Sequence, residues 1–334
     1  MTQRELAKKL NLSIATVSMA LSGSPLISEA TTQRVLELAE KYNYRPNLAA
    51  RTLNCGKSLA VGIITPPVYH SFYGEMVSRL QEHLHTRGYF GIYYPSSGVA
   101  DFRQALNALL SRRVDGVISA IYTPDIADDL EKEHIPFAYY GDYSGRSDID
   151  GVEVDKIASG RIAAEYLLQL GHRRIGFIGG LKVFASFIAC LEEAGAVPLP
   201  EHIVSIVPGM GDASRRQGCE IMQQLLAMPN RPTAVFTSND QLAIGALRAA
   251  LKAGLEVPQQ ISILGNDGVT EGNYLPVSLS TMATPMDRVA VELVNLILDK
   301  IAHRDDRQHR PTRITVVSDL VVRESTGPAP LQPA

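Results

Sequence analysis

The sequence predicts an N-terminal all-α helix-turn-helix headpiece followed by an α/β core of doubly wound parallel sheets. Three observations carry this. The chain opens with three short amphipathic helices joined by turn chemistry. From Leu59 onward, short apolar strands alternate with longer helices. Charge is divided between a basic head and an acidic body.

In the head, Thr2 and Glu5 have capping-box spacing and open a helix carrying Leu6, Ala7 and Leu10 on one side. Asn11 stands where the chain must turn sharply, and asparagine tolerates the left-handed backbone such turns need. Ser13 caps a second helix that runs from Ile14 to Leu21 without a breaker. After Ser22 the run Gly23, Ser24, Pro25 is a loop. Ser28 then caps a third helix with Val35, Leu38, Ala39 and Tyr42 on its inner face. Two short helices joined by a tight turn and braced by a third form a helix-turn-helix unit, although spacing alone would also suit a plain helical cap.

Charge points the same way. Up to Lys57 the chain has eight Lys and Arg against four Glu, a surplus of four; with -3 overall, the remainder carries -7. A small basic domain on an acidic body is the asymmetry expected of a head that meets phosphate.

The core strands are expected at Leu59–Thr65, Phe90–Tyr94, Val114–Ala120, Pro136–Tyr140, Val152–Asp155, Ile175–Gly179, Val204–Val207, Ala234–Thr237 and Ser262–Gly265. Helices such as Ala158–Leu170, Asp240–Ala253 and Met286–His303 run between them, so the sheets are parallel and covered on both faces. Ligands in open α/β sheets sit beyond the C-terminal strand ends. The expected domain boundaries are 1–46 for the head, 47–57 for a linker, 58–326 for the core and 327–334 for a Pro-containing disordered tail.

Ser13, Thr16, Val17 and Ser18, the run Ile27–Val35, and Tyr42–Leu53 (Tyr-Asn-Tyr-Arg-Pro-Asn-Leu-Ala-Ala-Arg-Thr-Leu) resemble the lactose-repressor/galactose-repressor (LacI/GalR) family. The resemblance continues to Ser325. It implies a homodimeric transcription regulator, repressor in kind, that binds a pseudo-palindromic double-stranded DNA operator under control of a small-molecule, sugar-type effector. It also implies two parallel-sheet lobes like those of periplasmic sugar-binding proteins, with a cleft between them and a chain that crosses more than once.

On the family's pattern Ile14, Ala15 and Met19 face the major groove, while Thr16, Ser18 and backbone amides serve phosphates and Ser13 is a further DNA-binding position. Met19 stands where many members carry arginine. Pro46 breaks the chain, Asn47 can cap, and Leu48–Leu53 has room for one or two helical turns before Gly56. A helix this short does not repay nucleation by itself and needs a partner to form. The resemblance makes it a hinge helix that pairs in the dimer and enters the minor groove. Asn47, Ala50 and Arg51 lie along it, and Leu53 wedges between base pairs; the bland alternative is a plain linker. Gly56, Lys57 and Ser58 do not make a phosphate loop, because Arg51 replaces the glycine that motif needs.

In the cleft, Phe72 and Tyr73 occupy the family's aromatic stretch, Asp155 its Val-Asp-Asn aspartate, and Asn239 and Asp267 its hydroxyl-binding positions. Capping and turn roles are the competing readings for Asp155, Asn239, Asp240 and Asp267. After Gly180 the family's polar loop and its arginine are missing. The following helix is expected near Phe187, with Val183 at the arginine position, which leaves Asp267 without a cation across the ligand. Losing a guanidinium fork removes charge-assisted hydrogen bonds worth roughly 1.5–3 kcal/mol each, so the usual effector chemistry is in doubt.

Other classes find little support. There is no G-x-S-x-G and no G-x-G-x-x-G, and His83 and His85 are two apart on one helix and cannot share a metal, so no enzyme, cofactor or metal is expected. Cys55, Cys190 and Cys219 are too few and scattered for a disulfide framework. No apolar run could span a bilayer and no export signal opens the chain, so a cytoplasmic regulator is expected over a sugar-binding protein without regulatory role.

Overall fold

The computed structural model describes residues 1–21, 24–44, 57–121, 130, 134–141, 149–196, 198–206, 214–304 and 310–331. The chain forms two compact units, Met1–Leu59 and Ala60–Ala334.

In the first unit, α1 (Gln3–Leu10), α2 (Ile14–Leu21) and α3 (Glu29–Lys41) enclose a core of Leu6, Ala7, Val17, Ala20, Val35 and Ala39. The Thr2–Glu5 capping box closes with bonds of 2.8 and 3.3 Å, and Asn11 takes the left-handed conformation at φ 55°. Ser13 Oγ accepts from Thr16 N at 3.0 Å, and Ser28 Oγ from Thr31 N at 3.4 Å. The inner face of α3 differs from expectation at one position. Tyr42 is exposed, with Lys9 Nζ 4.8 Å from its ring centre, and Tyr44 packs on the core instead. Tyr42 ends the helix, so its side chain leaves the register of Val35 and Ala39.

The second unit has two doubly wound lobes. Lobe 1 contains β1 (Ala60–Thr65), α4 (Ser71–Thr86), β2 (Phe90–Pro95), α5 (Val99–Leu110), β3 (Gly116–Ser119), β4 (Phe137–Tyr140) and β5 (Gly151–Val154). Lobe 2 contains α6 (Lys156–Gln169), β6 (Ile175–Gly179), α7 (Leu181–Glu193), β7 (Ile203–Ser205), α8 (Arg215–Leu226), β8 (Ala234–Thr237), α9 (Asp240–Lys252), β9 (Ser262–Asp267) and β10 (Ser280–Ala283). The chain then returns to lobe 1 as α10 (Met286–Ala302) and β11 (Arg313–Val316), and ends in lobe 2 with β12 (Asp319–Val321). The lobe 1 sheet has the order β11-β5-β4-β3-β1-β2 and is parallel throughout; lobe 2 has β12-β10-β9-β8-β6-β7, with only β12 antiparallel. Three connections therefore cross between lobes, in keeping with the sequence reading.

Each sheet is sandwiched. In lobe 1, α4 and α10 cover one face through Met76, Leu80, Leu84, Leu293 and Ile297, and α5 covers the other through Phe102 and Leu109. In lobe 2, α8 and α9 lie on one face and α6 and α7 on the other. Complete burial of β1, β3, β6 and β8 explains why they read as unbroken apolar runs.

Three strands escaped the sequence reading: β10, β11 and β12. The first is Ser-Thr-Met-Ala, and its hydroxyls are buried by pairing rather than by hydropathy. Ser280 Oγ meets Thr326 Oγ1 at 2.7 Å, and Thr281 Oγ1 donates to Asp240 Oδ1 at 2.7 Å. The tail expectation is corrected as well. Ser325, Thr326 and Gly327 are buried, Gly327 O lies 3.1 Å from His172 Nε2, and Ala329 N donates to Leu170 O at 2.8 Å. The segment is fixed to lobe 2 by its backbone, which composition does not reveal; only residues 332–334 lie outside the described residues.

Candidate functional site

Packing divides α2 into two faces. Val17 and Ala20 enter the head core, which turns Ser13, Ile14, Ala15 and Ser18 outward and leaves Thr16 and Met19 half-buried at the border. Ile14 is 45% exposed although the head has a core that could take it, so this face presents an apolar side chain between hydroxyls. Ser13 and Thr16 also join their hydroxyls at 2.8 Å, which fixes both at the start of the helix. The remaining DNA positions, Asn47, Ala50, Arg51 and Leu53, lie outside the described residues.

The second candidate lies where the strands of the two lobes end. From lobe 1, α4 supplies Phe72 and Tyr73, and the last residue of β4 supplies Tyr140. Phe72 meets Tyr73 edge-on at 5.3 Å between centroids and Tyr140 at 6.0 Å. From lobe 2, β9 runs two residues past its expected end and delivers Asn266 and Asp267. Asn266 Nδ2 donates to Ser238 O at 3.1 Å.

Asp267 and Asp240 are close, and their surroundings set their proton count. Asp240 is fully buried and accepts from Gly268 N (2.8 Å), Val269 N (2.8 Å) and Thr281 Oγ1 (2.7 Å). Every partner is a donor, so the site is built for the anion, although burial still pulls its pKa upward. Burial, reinforced by the Asp240 charge, drives Asp267 well above the usual carboxylate range; a backbone N–H and Lys156 pull weakly the other way. The donor set around Asp240 favours its anion, and the larger upward shift falls on Asp267, whose carboxyl faces the cleft.

The phenols respond in the same sense. Burial, with Asp267 adding, pushes Tyr73 up to about 12, and Tyr140 rises well above its ordinary value by burial while pairing with Thr284. Both stay protonated donors at neutral pH. The cleft therefore sets an aromatic wall of Phe72, Tyr73 and Tyr140 beside the Asp267 carboxyl. Lys156, which stands where the family has Asn, is near enough to pull the Asp267 pKa slightly down, the smallest of the influences on it.

Two expected effector residues serve as caps. Asp155 Oδ1 accepts from Ala158 N at 2.8 Å to start α6, and Asn239 Oδ1 accepts from Leu242 N at 2.9 Å to start α9. It is Asn239, rather than Asp240, that caps this helix, which releases the Asp240 carboxylate to hold the loop after β9. Tyr140, Thr284 and the role of Lys156 were missed by sequence reasoning. Tyr140 carried a signal, because it is the last residue of an expected strand; Thr284 carried none.

Nothing separates β6 from the next helix except Gly180. Helix α7 begins at Leu181, six residues before the expected start near Phe187, and Val183 falls in its first turn. Phe187 is instead fully buried between Phe177 and Phe236, at 5.9 and 5.0 Å. That anchor draws the helix down onto β6 and leaves no room for a loop. Gly179, at φ 147°, turns the chain there, and a Cβ on it would strike Ser238 Oγ.

Among the described residues no cluster of metal-binding side chains occurs, and no helix is long and apolar enough to cross a membrane.

Residues 2–47 match the bacterial regulatory proteins of the lacI family, and residues 164–326 match a periplasmic binding protein-like domain. The HTH-type transcriptional repressor PurR of Escherichia coli O139:H28 is 29% identical over 343 residues, covering 99% of this chain and 98% of the relative. Among solved structures, the lac repressor dimer bound to operator and the anti-inducer ONPF superimposes with a TM-score of 0.83 at 23% identity, covering 98% of this chain and 99% of that one. The transcriptional regulator CelR in complex with cellobiose gives 0.71 at 23% identity, covering 97% and 99%. These structures share the fold. The curated relatives are repressors rather than enzymes, as the search for catalytic motifs led one to expect.

Proposed function

The chain belongs to the LacI/GalR family of transcriptional regulators, and we propose that it represses by binding a pseudo-palindromic operator as a homodimer, with a small-molecule effector in the cleft between its lobes. The observation that carries the DNA half is the outward face of α2, where Ser13, Ile14, Ala15 and Ser18 are left in water by a core that buries Val17 and Ala20. Ile14 and Ala15 suit thymine methyl groups, and the hydroxyls and backbone amides suit phosphates. Leu53 would complete the contact as a minor-groove wedge. A DNA target supports the reading of a cytoplasmic protein.

The effector half rests on the aromatic wall of Phe72, Tyr73 and Tyr140 facing the Asp267 carboxyl, whose pKa burial and the Asp240 charge raise. Such a wall takes the apolar face of a sugar ring, and its donors take hydroxyl or carbonyl oxygens. An oligosaccharide or bulkier glycoside fits better than a free hexose, because the loop and arginine that clamp a small sugar are absent. The solved relative bearing cellobiose is consistent with that size. A second reading, a DNA-binding regulator whose sensor has lost its ligand, is favoured by the direct junction of β6 and α7.

Selection of bound DNA from a random pool, followed by titration of the selected duplex against a panel of mono- and oligosaccharides, tests both halves. A palindromic consensus is expected, with release or tightening by an oligosaccharide. Recovery of no consensus would overturn the repressor reading.

A further inference from the structure

Four side chains at the mouth of the cleft join the lobes in a closed ring of hydrogen bonds. Ser71, the first residue of α4 in lobe 1, donates from Oγ to Glu271 Oε2 at 3.2 Å. Glu271 lies in the short turn Thr270–Tyr274 of lobe 2 and receives Arg215 Nη2 at 2.6 Å. Arg215, at the start of α8, also donates from Nε to Gln241 Oε1 at 2.6 Å. Gln241, at the start of α9, completes the ring with Nε2 donating to Ser71 Oγ at 3.4 Å. Every group works in its proper sense: the guanidinium donates twice, the carboxylate accepts twice, and the amide and hydroxyl each do one of both. Beside the ring, Phe72 packs against the apolar cores of both lobes.

Each lobe 2 member starts a different segment, so the three converge on one point of the cleft edge only because α8, α9 and the turn after β9 meet there. Gly245 makes that meeting possible, since a Cβ on it would overlap the Arg215 carbonyl. Lobe 1 contributes Ser71 and, through packing, Phe72. We propose that this ring is a clasp that holds the two lobes in the arrangement seen here with no ligand between them.

A resting arrangement set by the chain's own side chains changes how an effector acts. A ligand shifts the lobes only by its differential affinity for two arrangements, and the clasp already occupies one of them. Only the two bonds to Ser71, at 3.2 and 3.4 Å, cross between the lobes, while the half-exposed Arg215–Glu271 pair holds Glu271 in place within lobe 2, so the clasp is a modest lock that a ligand or a substitution can open. The inference is independent of the operator and of the effector's identity.

The test is hydrogen exchange on the full-length chain, free of DNA and sugar, comparing wild type with Ser71→Ala, Glu271→Ala and the exchanged pair Arg215→Glu/Glu271→Arg. Ser71→Ala is expected to speed exchange about 3- to 10-fold on both sides of the cleft, over residues 72–76 and 270–274, and Glu271→Ala to do the same. The head and the buried strands β1 and β8 should keep wild-type rates, and the exchanged pair should restore slow exchange on both sides. Faster exchange confined to residues 270–274 in Glu271→Ala, with Ser71→Ala unchanged, would show a purely local turn contact and overturn the clasp. So would unchanged exchange in all variants. Neither result depends on finding an operator or effector, so failure here is distinct from failure of the repressor reading.

Discussion

Asp240 is the residue whose loss should be felt most, and the structure allows the size to be worked out. Its carboxylate is fully buried and accepts three hydrogen bonds, from Gly268 N, Val269 N and Thr281 Oγ1, at 2.7–2.8 Å. A bond to a charged acceptor is worth roughly 1.5–3 kcal/mol, and alanine would leave the Val269 amide and the Thr281 hydroxyl buried without it. Part of that loss is returned, because a buried anion that has cost desolvation is removed. The net expectation is about 3–5 kcal/mol for Asp240→Ala. Asp240→Asn keeps an oxygen for the two amides and lets the Thr281 hydroxyl turn to accept, so about 1–2 kcal/mol suffices there. Urea unfolding followed by circular dichroism measures both, as a fall in midpoint at constant slope. If Asp240→Ala costs less than about 1 kcal/mol, the three bonds do not hold the loop after β9.

Asp267→Asn tests the upward shift of Asp267 directly. A folded pKa raised above the unfolded value stabilises below the unfolded value and is lost as pH rises through the folded one, so the variant should be more stable than wild type at pH 7–8 and lose that advantage as pH falls toward about 4; a pH-independent gap would refute it. Leu53→Ala should weaken operator binding roughly 10- to 100-fold and leave salt-dependent binding to random DNA unchanged, and equal losses on both would reduce the segment to a linker. With Met19 where a guanidinium fork often stands, half-site discrimination should be weak, and Met19→Arg should add about 1–3 kcal/mol for guanine at one position; a strict guanine already present with wild type, lost in Met19→Ala, would contradict this. Free hexoses at millimolar concentration should leave operator affinity unchanged, and calorimetry showing micromolar hexose binding abolished by Asp267→Ala would overturn the preference for a larger ligand.

Much of the head was legible because its signals are local: the Thr2–Glu5 box, Asn11 and Ser13 each act within one turn of chain. Tyr42 failed for a local reason too, since periodicity says nothing about where the helix stops. In the core, β1, β6 and β8 announced themselves as apolar runs, whereas β10 is buried through hydroxyls whose partners, Ser325 and Thr326, lie some forty residues away. The cleft was half legible. Phe72, Tyr73 and Asp267 follow from family pattern, but the capping of α9 by Asn239 rather than Asp240 is decided by which carboxyl the Gly268 loop captures. Nothing near Asp240 in sequence encodes that. The start of α7 was misjudged because Phe187 was read as an entrance when it is an anchor.

The triple crossing of the chain has a consequence for how the protein is made. Lobe 1 needs β11 as its edge strand, and lobe 2 needs β12 and the buried run Ser325–Gly327, so neither lobe can close its sheet before those late segments have left the ribosome. The head, whose contacts are all local, can fold as soon as it emerges. During synthesis there is thus a period in which a finished DNA-reading head is tethered to two open sheets with exposed edges. Those edges are short of partners within the nascent chain and open to strands of neighbouring chains. Aggregation of truncated or slowly translated copies should therefore begin in the core, and cutting the chain before Asp319 should spare the head while leaving lobe 2 unclosed.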